Sequence, residues 1–314
     1  MLVGHKKQWN FLKNSFLTGR LSHAYLFSGP EKIGKKTVAL EFVKFLHCQE
    51  KNFERRPCNL CPSCQQILKG IHPDALFLEP QGKKQEIQIS QIRELIYKLS
   101  LKPSLSSFKT AIIDKAHLMD AQAQNCLLKT LEEPKGNTIL ILVTCHPEIL
   151  FETIRSRVQE IKFFLNSKKE ILEFLKKQGV SEEKAREIEE VALLRIGRAI
   201  EFLRNPEKLE RERKEVLLIS KILSSDIATR FQYAKKISNE SPKEKIATWL
   251  RYFREQLLLK TKVLSEKSPL SFGHYSLSEI KKIIEELEKT YFLISTKNTN
   301  KRLALEMLML NIKT

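Results

Sequence analysis

The chain has 314 residues, of which 42% are hydrophobic and 29% are charged, as in a folded globular protein and unlike a disordered one. Its 55 lysines and arginines outnumber 37 acidic residues and give a formal net charge of +18; this favours a polyanionic partner such as nucleic acid, although a solvated, lysine-rich surface would explain part of it. No apolar run reaches the roughly 18 residues of a membrane span, and the first residues lack the apolar core of a signal peptide. The sequence therefore predicts a cytoplasmic protein with no membrane partner.

The first half of the chain alternates short apolar runs with amphipathic stretches. The apolar runs are of strand length and cover residues 24–28, 75–78, 110–114 and 139–144, and a last strand-like run covers residues 159–163. The stretches between them predict helices over residues 35–46, over 90–101 with Ser90 as the N-terminal cap, and over 120–131. Apolar strands separated by helices indicate a parallel sheet covered on both faces, so residues 1–164 are predicted to form an α/β domain.

The pattern changes after about residue 164. Residues 165–208 predict a small helical domain, with helices over 170–177, 182–194 and 197–203. Beyond it the helix breakers are few, namely Pro242, Pro269 and Gly273. Residues 209–314 are therefore predicted to form an all-helical bundle, as a third domain.

A glycine-containing segment, Gly29–Thr37, directly follows the first predicted strand and opens the next helix. This context is typical of a P-loop, in which backbone N–H groups cradle phosphates and the lysine, here Lys35, reaches them; a basic turn without such a role is the alternative. A Ser or Thr that ligates Mg²⁺ should come next, but Lys36 stands there instead. Thr37 is one residue further, about 100° around the helix, and is predicted to point away.

The strand over residues 110–114 ends on Asp114, as does the strand that holds the metal in P-loop ATPases. The next residue should be a glutamate that orients or deprotonates the attacking water, but it is Lys115. Loss of such a base lowers a rate by about 10²–10⁴, and Lys36 adds a second cation where a dication should sit. The sequence predicts a nucleotide-binding fold without intrinsic ATPase activity, and leaves open whether ATP or ADP still binds.

Four of the six cysteines lie close together, at Cys48, Cys58, Cys61 and Cys64. Cys-x-x-Cys spacing presents thiolates to a tetrahedral ion, and four protein ligands leave no open position, so the pattern predicts a structural zinc site over residues 48–64. The alternatives are a cluster of free thiols, or a site in which His47 or His72 is a ligand. The other two, Cys126 and Cys145, are interpreted as core residues.

Three arginines can each be interpreted either as surface charges or as phosphate-binding residues. Arg155 and Arg157 precede the last predicted strand, where they are either solvated or placed to serve the nucleotide of a neighbouring subunit. Arg198, at a helix start, either faces phosphate or is simply exposed. Arg93 is a candidate DNA contact together with Lys83 and Lys84, because a helix start and a basic loop suit phosphate.

These motifs together resemble the AAA+ clamp-loader subunits of bacterial DNA polymerase III. The similar stretches lie within about residues 4–160 and are His23–Pro30, the four cysteines, Arg93–Asp114, Asn125–Pro134 and Ser156-Arg157, with a weaker likeness at 298–303. Motor subunits of that family keep Gly-Lys-Thr and Asp-Glu. Because Lys36 and Lys115 depart from both, the chain is most similar to the delta-prime type, which does not hydrolyse nucleotide.

The resemblance implies an AAA+ module with zinc, a helical lid and a collar bundle that builds a pentameric ring. It implies that Arg157 acts in trans as an arginine finger, although Val158 replaces the cysteine that usually follows. The implied function is to help load the sliding clamp on primed DNA. The implied partners are motor subunits of tau/gamma type, a delta-type clamp-opening subunit, the sliding clamp and primer–template DNA.

Two other functions are compatible with the residues. The chain could be a catalytically active clamp-loader ATPase subunit, with Thr37 or water as the missing metal ligand. It could also be a free-standing zinc protein that binds nucleic acid outside any ring.

Overall fold

The computed structural model describes residues 2–81, 86–261, 275–295 and 299–312. The chain divides into two compact units. The first contains residues 1–177 together with 194–198, and the second contains residues 178–193 and 199–314. Separate lid and collar domains, as predicted from the sequence, remain a prediction.

A five-stranded parallel sheet forms the centre of the first unit. Its strands are β1 (Ala24–Ser28), β2 (Ala75–Leu78), β3 (Lys109–Ile113), β4 (Thr138–Thr144) and β5 (Gln159–Lys162). They are hydrogen-bonded in the order β2-β3-β4-β1-β5, and every pairing is parallel. The predicted strands and the predicted α/β class are confirmed. The carboxyl ends of all strands meet at one edge of the sheet, which is where ligands bind in open sheets of this kind.

The side chains of β1 alternate in direction, which explains why the sheet has a core on both faces. All five of its residues are buried. Tyr25 and Phe27 join a cluster on one face with Phe42, while Leu26 joins a cluster on the other face with Leu127. Because successive side chains of a strand point to opposite faces, an unbroken apolar run is the sequence of a strand buried on both sides.

Helices surround this sheet. They are α1 (Lys6–Leu17), α2 (Lys35–His47), α3 (Pro62–Leu68), α4 (Ile89–Ser100), α5 (Ala121–Glu132), α6 (Glu152–Arg155) and α7 (Lys168–Lys177). The sequence interpretation identified α2, α4, α5 and α7 but missed α1, α3 and α6. The predicted cap of α4 at Ser90 is wrong, because the helix already begins at Ile89. Its cap is Gln88, whose N–H donates to the side chain of Gln91 at 3.0 Å.

Further along the chain follow α8 (Glu182–Ala192), α9 (Ile196–Arg204), α10 (Pro206–Leu223), α11 (Ile227–Ser238), α12 (Pro242–Thr261), α13 (Leu277–Ser295) and α14 (Lys301–Asn311). The predicted all-helical character of the C-terminal part is confirmed for these residues. Pro242 is the first residue of α12, where its missing N–H costs nothing; Pro269 and Gly273 lie outside the described residues. The core of the second unit includes Trp249, Phe253 and Leu305. None of the helices in the described ranges has the length and apolar composition needed to cross a bilayer.

Candidate nucleotide and metal sites

The P-loop connects the end of β1 to the start of α2, and two of its glycines are required by the backbone. Gly29 has φ of 139° and Gly34 has φ of 103°, conformations that side chains disfavour. A Cβ atom on Gly29 would also lie 2.3 Å from the carbonyl oxygen of Phe163, which follows β5. The loop therefore lies against the residue that follows β5, and its two glycines allow the backbone conformation that leads into α2.

Lys35 is buried and folds back onto its own loop. Its Nζ donates to the carbonyl oxygens of Gly29, at 2.6 Å, and of Pro30, at 2.5 Å. Burial lowers the pKa of Lys35 to about 8, with Cys145, Glu31 and Asp114 opposing the shift. Among the described residues Lys35 has no ion pair with a carboxylate. An ammonium held by neutral carbonyls alone is prepared to receive an anion.

Lys36 contacts two carboxylates that follow neighbouring strands. Its Nζ lies 3.4 Å from Oδ2 of Asp114, directly after β3, and forms an ion pair with Oε1 of Glu79, directly after β2. Burial works to lower the pKa of Lys36, but the hydrogen bond to Glu79 and the charge of Asp114 raise it above its ordinary value. The site thus carries a permanent cation beside the acidic residue that would otherwise face a metal.

A cavity of about 290 Å³ opens beside the P-loop and is bordered by Gly34, Lys35, Lys36, Thr37, Asp114 and Lys115. Of the residues predicted for the nucleotide site, only Gly29 is not among the lining residues; it lies against Phe163. Thr37 borders the cavity, whereas the helical rotation had predicted that it points away. Lys115, the residue after Asp114, is exposed and adopts a left-handed backbone conformation with φ of 51°.

The segment that starts α9 packs directly on the P-loop. The N–H of Gly197 donates to the carbonyl oxygen of Lys32 at 2.7 Å, and a Cβ on Gly197 would lie 2.6 Å from that oxygen. Gly197 also borders the cavity, and the neighbouring Arg198 is 4% exposed. The reading of Arg198 as an exposed residue is therefore wrong. Sequence reasoning overlooked Gly197, for which a glycine inside a helical pattern was the available signal.

Thr144, the last residue of β4, also borders the cavity, together with His117 and Cys145. Thr144 Oγ1 lies 3.1 Å from Nδ1 of His117, and Nε2 of the same histidine lies 3.6 Å from Sγ of Cys145. Cys145 was predicted to be a core residue, but it borders the cavity and is only partly buried. Cys126 packs against the core of the sheet while remaining partly exposed.

The four clustered cysteines come together as predicted. Cys48 ends α2, Cys61 caps α3, and the sulfur atoms of Cys48, Cys58, Cys61 and Cys64 all lie within 4.8 Å of one another. Tetrahedral zinc with bonds of about 2.3 Å would bring its sulfurs to about 3.8 Å, so a small contraction would suffice. The four thiols could hold a metal ion.

Backbone N–H groups orient these sulfurs. The N–H groups of Cys58, Cys61 and Cys64 lie 3.4, 3.3 and 3.5 Å from the sulfurs of Cys48, Cys58 and Cys61. Burial raises the pKa values of Cys48 and Cys64. Burial also acts to raise the pKa of Cys58, but the N–H groups of Cys61 and Leu60 prevail and lower it to about 7. A bound cation would stabilise the thiolate form of these cysteines, because a thiol binds a metal only after it loses its proton.

The two histidines considered as alternative ligands have other partners. Nε2 of His47 lies 2.9 Å from Oγ1 of Thr110, and Nδ1 of His72 accepts the N–H of Asp74 at 3.1 Å. Their rings contact each other at a centroid distance of 4.8 Å. Neither belongs to the group of side chains that could share one metal ion with the cysteines.

Arg157 lies between α6 and β5, and its side chain is 37% exposed. Its Nη1 donates to the carbonyl oxygen of Thr153 at 2.9 Å, and its Nη2 lies 2.9 Å from Oε1 of Glu132. It does not border the cavity at the chain's own P-loop. Arg155 is exposed, and so is Arg93 on α4; Lys83 and Lys84 lie outside the described residues.

Comparison with known proteins identifies the family. Residues 4–166 match the family described as "DNA polymerase III, delta subunit". The chain is 38% identical over 208 residues to the DNA polymerase III subunit delta' of Bacillus subtilis, covering 66% of this chain and 61% of that protein. It is 33% identical over 224 residues to the subunit delta' of Pseudomonas aeruginosa, covering 70% and 68%.

Proteins named as gamma subunits of DNA polymerase III are also similar to the chain. It is 36% identical over 175 residues to the DNA polymerase III subunit gamma of Buchnera aphidicola from Schizaphis graminum, covering 56% of this chain but only 47% of that protein. The chain thus spans about half to two thirds of the length of these relatives. On the match over residues 4–166 and the likeness to both delta' proteins, the chain belongs to the DNA polymerase III delta-subunit family of clamp-loader subunits.

Proposed function

We propose that the chain is a delta-prime type of clamp-loader subunit, which hydrolyses no nucleotide itself and helps to load the sliding clamp on primed DNA. The observation that carries this proposal is the ammonium of Lys36, 3.4 Å from Asp114. A divalent ion beside Asp114 would meet this cation at close range, where repulsion between like charges is strong. With Lys36 at the metal position and Lys115 at the position of the base, the site lacks both the metal ion and the proton acceptor that hydrolysis needs.

The chain's contribution to hydrolysis would come from Arg157, acting on the nucleotide of a neighbouring motor subunit. Two observations support this role. The guanidinium lies away from the chain's own cavity, and it is held by the Thr153 carbonyl and by Glu132 while remaining 37% exposed. An arginine supplied in trans stabilises the charge that develops on the transferred phosphoryl group, and contributes about 10³–10⁵ in rate where it is decisive.

The experiment is a reconstituted clamp loader that carries Arg157→Ala. Only the motor site next to this subunit would lose its arginine, so we expect a partial fall in ATP hydrolysis and a larger loss of clamp loading. Arg155→Ala is the matched control, because this exposed arginine lies two residues away, and it should change little. Unchanged hydrolysis and loading with Arg157→Ala in an assembled complex would contradict the proposal.

The catalytically active alternative has one observation in its favour, the position of Thr37 at the edge of the cavity. It predicts steady ATP turnover by the isolated chain that is lost on Lys35→Ala. Our proposal predicts no turnover above background for the same preparation.

Assembly would use the helical second unit as a collar. The face of α14 formed by Leu303, Met307 and Leu310 has the spacing of one helical side, and these side chains are 55%, 52% and 47% exposed. The other side of α14 is buried in the core of the unit. An apolar side that the unit leaves exposed suits contacts with other subunits, here those of tau/gamma and delta type.

The cysteine cluster is proposed to bind structural zinc, since four thiolates match its preferred ligands and close the site to substrate.

Primer–template DNA and the sliding clamp are proposed partners through the assembled complex. The net charge of +18 suits the phosphates of DNA, and Arg93 remains a candidate contact. A cytoplasmic location is part of the same proposal, because DNA is the proposed substrate.

A further inference from the structure

A buried lysine contacts the turn that carries two of the four clustered cysteines. Lys44 lies in the last turn of α2 and is 3% exposed. Its Nζ donates to Oε1 of Glu41 at 2.5 Å and to Oδ1 of Asn59 at 2.6 Å. Asn59 directly follows Cys58, in the Cys-x-x-Cys turn that ends at Cys61. Lys44 therefore joins the helix that follows the P-loop to the cysteine turn.

The two partners of Lys44 differ in what they require of the fold. Glu41 lies three residues earlier on the same helix, so this ion pair forms wherever α2 forms. Asn59 is fifteen residues further along the chain and, within the described ranges, is the hydrogen-bond partner of Lys44 outside α2. Burial of an ammonium is unfavourable unless its donors are satisfied. The buried position of Lys44 thus depends on the cysteine turn, and the turn in turn depends on Lys44.

Asn59 has the backbone conformation on which this turn is built. Its φ is 59°, in the left-handed region that asparagine tolerates better than most residues. Its Nδ2 donates to the carbonyl oxygen of Pro57 at 3.2 Å, and its own carbonyl oxygen accepts Nε2 of Gln65 at 2.5 Å. The turn brings the N–H of Cys61 to 3.3 Å from the sulfur of Cys58. A change at Asn59 would therefore move these two cysteines relative to each other.

We infer that Lys44 is a positioning residue of the cysteine metal site. It is not a ligand, but its hydrogen bond to Asn59 holds the turn between Cys58 and Cys61 in the conformation that receives the ion. Residues that orient metal ligands in this way change metal affinity by about 10–100-fold when they are replaced. The role rests on the proposed zinc site and assigns to it a residue that the cysteine spacing does not identify.

The first test measures the zinc affinity of the full chain by competition with a chromophoric chelator. Lys44→Met removes the ammonium and keeps a side chain of similar length in the buried position. We expect zinc affinity to fall by about tenfold or more. Co²⁺ bound in place of zinc has absorption bands that report ligand geometry, and these bands should change in Lys44→Met. Unchanged affinity and unchanged bands would overturn the inference.

Asn59→Gly separates the hydrogen bond from the backbone conformation. Asn59 is exposed, so this variant should fold even if Lys44→Met does not. Glycine adopts a positive φ without strain, so a role of the backbone alone predicts undiminished zinc affinity, which would contradict the inference. We expect a loss similar to that of Lys44→Met. Because the two residues act through one hydrogen bond, the double variant should lose clearly less than the sum of the single losses, whereas additive losses would contradict their coupling.

Lys51→Met is the matched control, because Lys51 is an exposed lysine between Cys48 and Cys58. It removes the same charge from the cysteine segment and should leave zinc affinity and the Co²⁺ bands unchanged. Equal effects of Lys44→Met and Lys51→Met would reduce Lys44 to a contribution to overall charge and contradict its assigned role.

Failure of this role is distinguishable from failure of the proposed zinc site. An unsubstituted chain that contains no zinc after chelator-free purification, and binds none when zinc is added, would overturn both. An unsubstituted chain that binds zinc no more tightly than Lys44→Met and Asn59→Gly would overturn the positioning role alone. Both measurements use the isolated chain, so they are independent of the arginine role tested in the assembled complex.

Discussion

Arg157 and Glu132 form an ion pair, with Nη2 of the arginine 2.9 Å from Oε1 of the glutamate. Glu132 is the last residue of α5, while Arg157 follows the short helix α6. The pair joins two segments that are 25 residues apart, and a hydrogen bond to Thr153 holds the same guanidinium from the other side. Glu132 is therefore a positioning residue for the proposed arginine finger.

Glu132→Gln should slow ATP hydrolysis by the assembled complex less than Arg157→Ala does. An exposed ion pair contributes about 1 kcal/mol or less, which corresponds to a rate change below about fivefold. The chain should keep its stability, because the pair is half exposed. Glu133→Gln is the matched control at the adjacent exposed position. If Glu132→Gln hydrolysed ATP at the rate of the Glu133→Gln control, Glu132 would have no positioning role. A loss of rate as large as that of Arg157→Ala would also contradict a role that is only positioning.

The cysteine cluster should contain about one zinc ion per chain after purification without chelators. Cys61→Ser should remove the metal and lower the thermal midpoint of the first unit by more than about 5 °C, since metal binding stabilises only the folded state. Elemental analysis and thermal unfolding give the two readouts. Cys126→Ser, outside the cluster, should retain the metal. A zinc-free protein with an unchanged midpoint would leave the cluster as four free thiols.

Asp74 anchors the loop before β3 from a fully buried position. Its carboxylate accepts the N–H groups of Ser104 at 2.8 Å, Leu105 at 2.7 Å and Ser106 at 3.1 Å, and lies 3.4 Å from Nζ of Lys109. Burial by itself would raise the pKa of Asp74. The N–H groups and the Lys109 ammonium outweigh that effect and hold the pKa below its ordinary value.

Asp74→Asn should therefore destabilise the first unit by about 3 kcal/mol at neutral pH, because it leaves the buried ammonium unpaired. Since the folded-state pKa lies below the unfolded value of about 3.9, the carboxylate stabilises the fold above that value and loses this effect as the pH falls through the folded-state pKa. The difference between the two proteins should shrink in acid. A constant difference down to pH 2 would contradict the assignment.

Tryptophan fluorescence can follow this unit alone. The chain has two tryptophans; Trp9 packs on Phe45 in the first unit, and Trp249 lies in the core of the second. In a Trp249→Phe background, urea unfolding monitored through Trp9 reports on the unit that contains Asp74.

Serine substitutions at Leu303, Met307 and Leu310 should weaken assembly with motor subunits. These side chains are about half exposed in the isolated chain, so its folding should change little, while burial against a partner would be lost. We expect the dissociation constant to rise by at least about tenfold, measured by native mass spectrometry over a concentration series. Leu217→Ser, at an exposed position of α10, is the control. Undiminished assembly of the triple variant would exclude this side of α14 as a subunit contact.

The sequence by itself determined the strands and the chemical types of the site residues. Strands such as β4 have seven buried residues in a row, five of them apolar between two threonines, and a local pattern of that kind has one stable environment, the centre of a covered sheet. The P-loop glycines and the cysteine spacing are equally local, because each depends on a turn of a few residues. Helices α1, α3 and α6 were missed because their local apolar patterns are too short or too weak to predict a helix.

Tertiary structure alone decided how the charges at the P-loop are arranged. Lys36, Glu79 and Asp114 are distant in sequence and meet because β1, β2 and β3, which precede them, end at the same edge of one parallel sheet. The same holds for Gly197 against Lys32 and for Arg157 against Glu132. Electrostatic interactions depend on distance in space rather than along the chain, so the sequence could assign Lys36 and Asp114 to one site but could not identify Glu79 as the second carboxylate that pairs with Lys36.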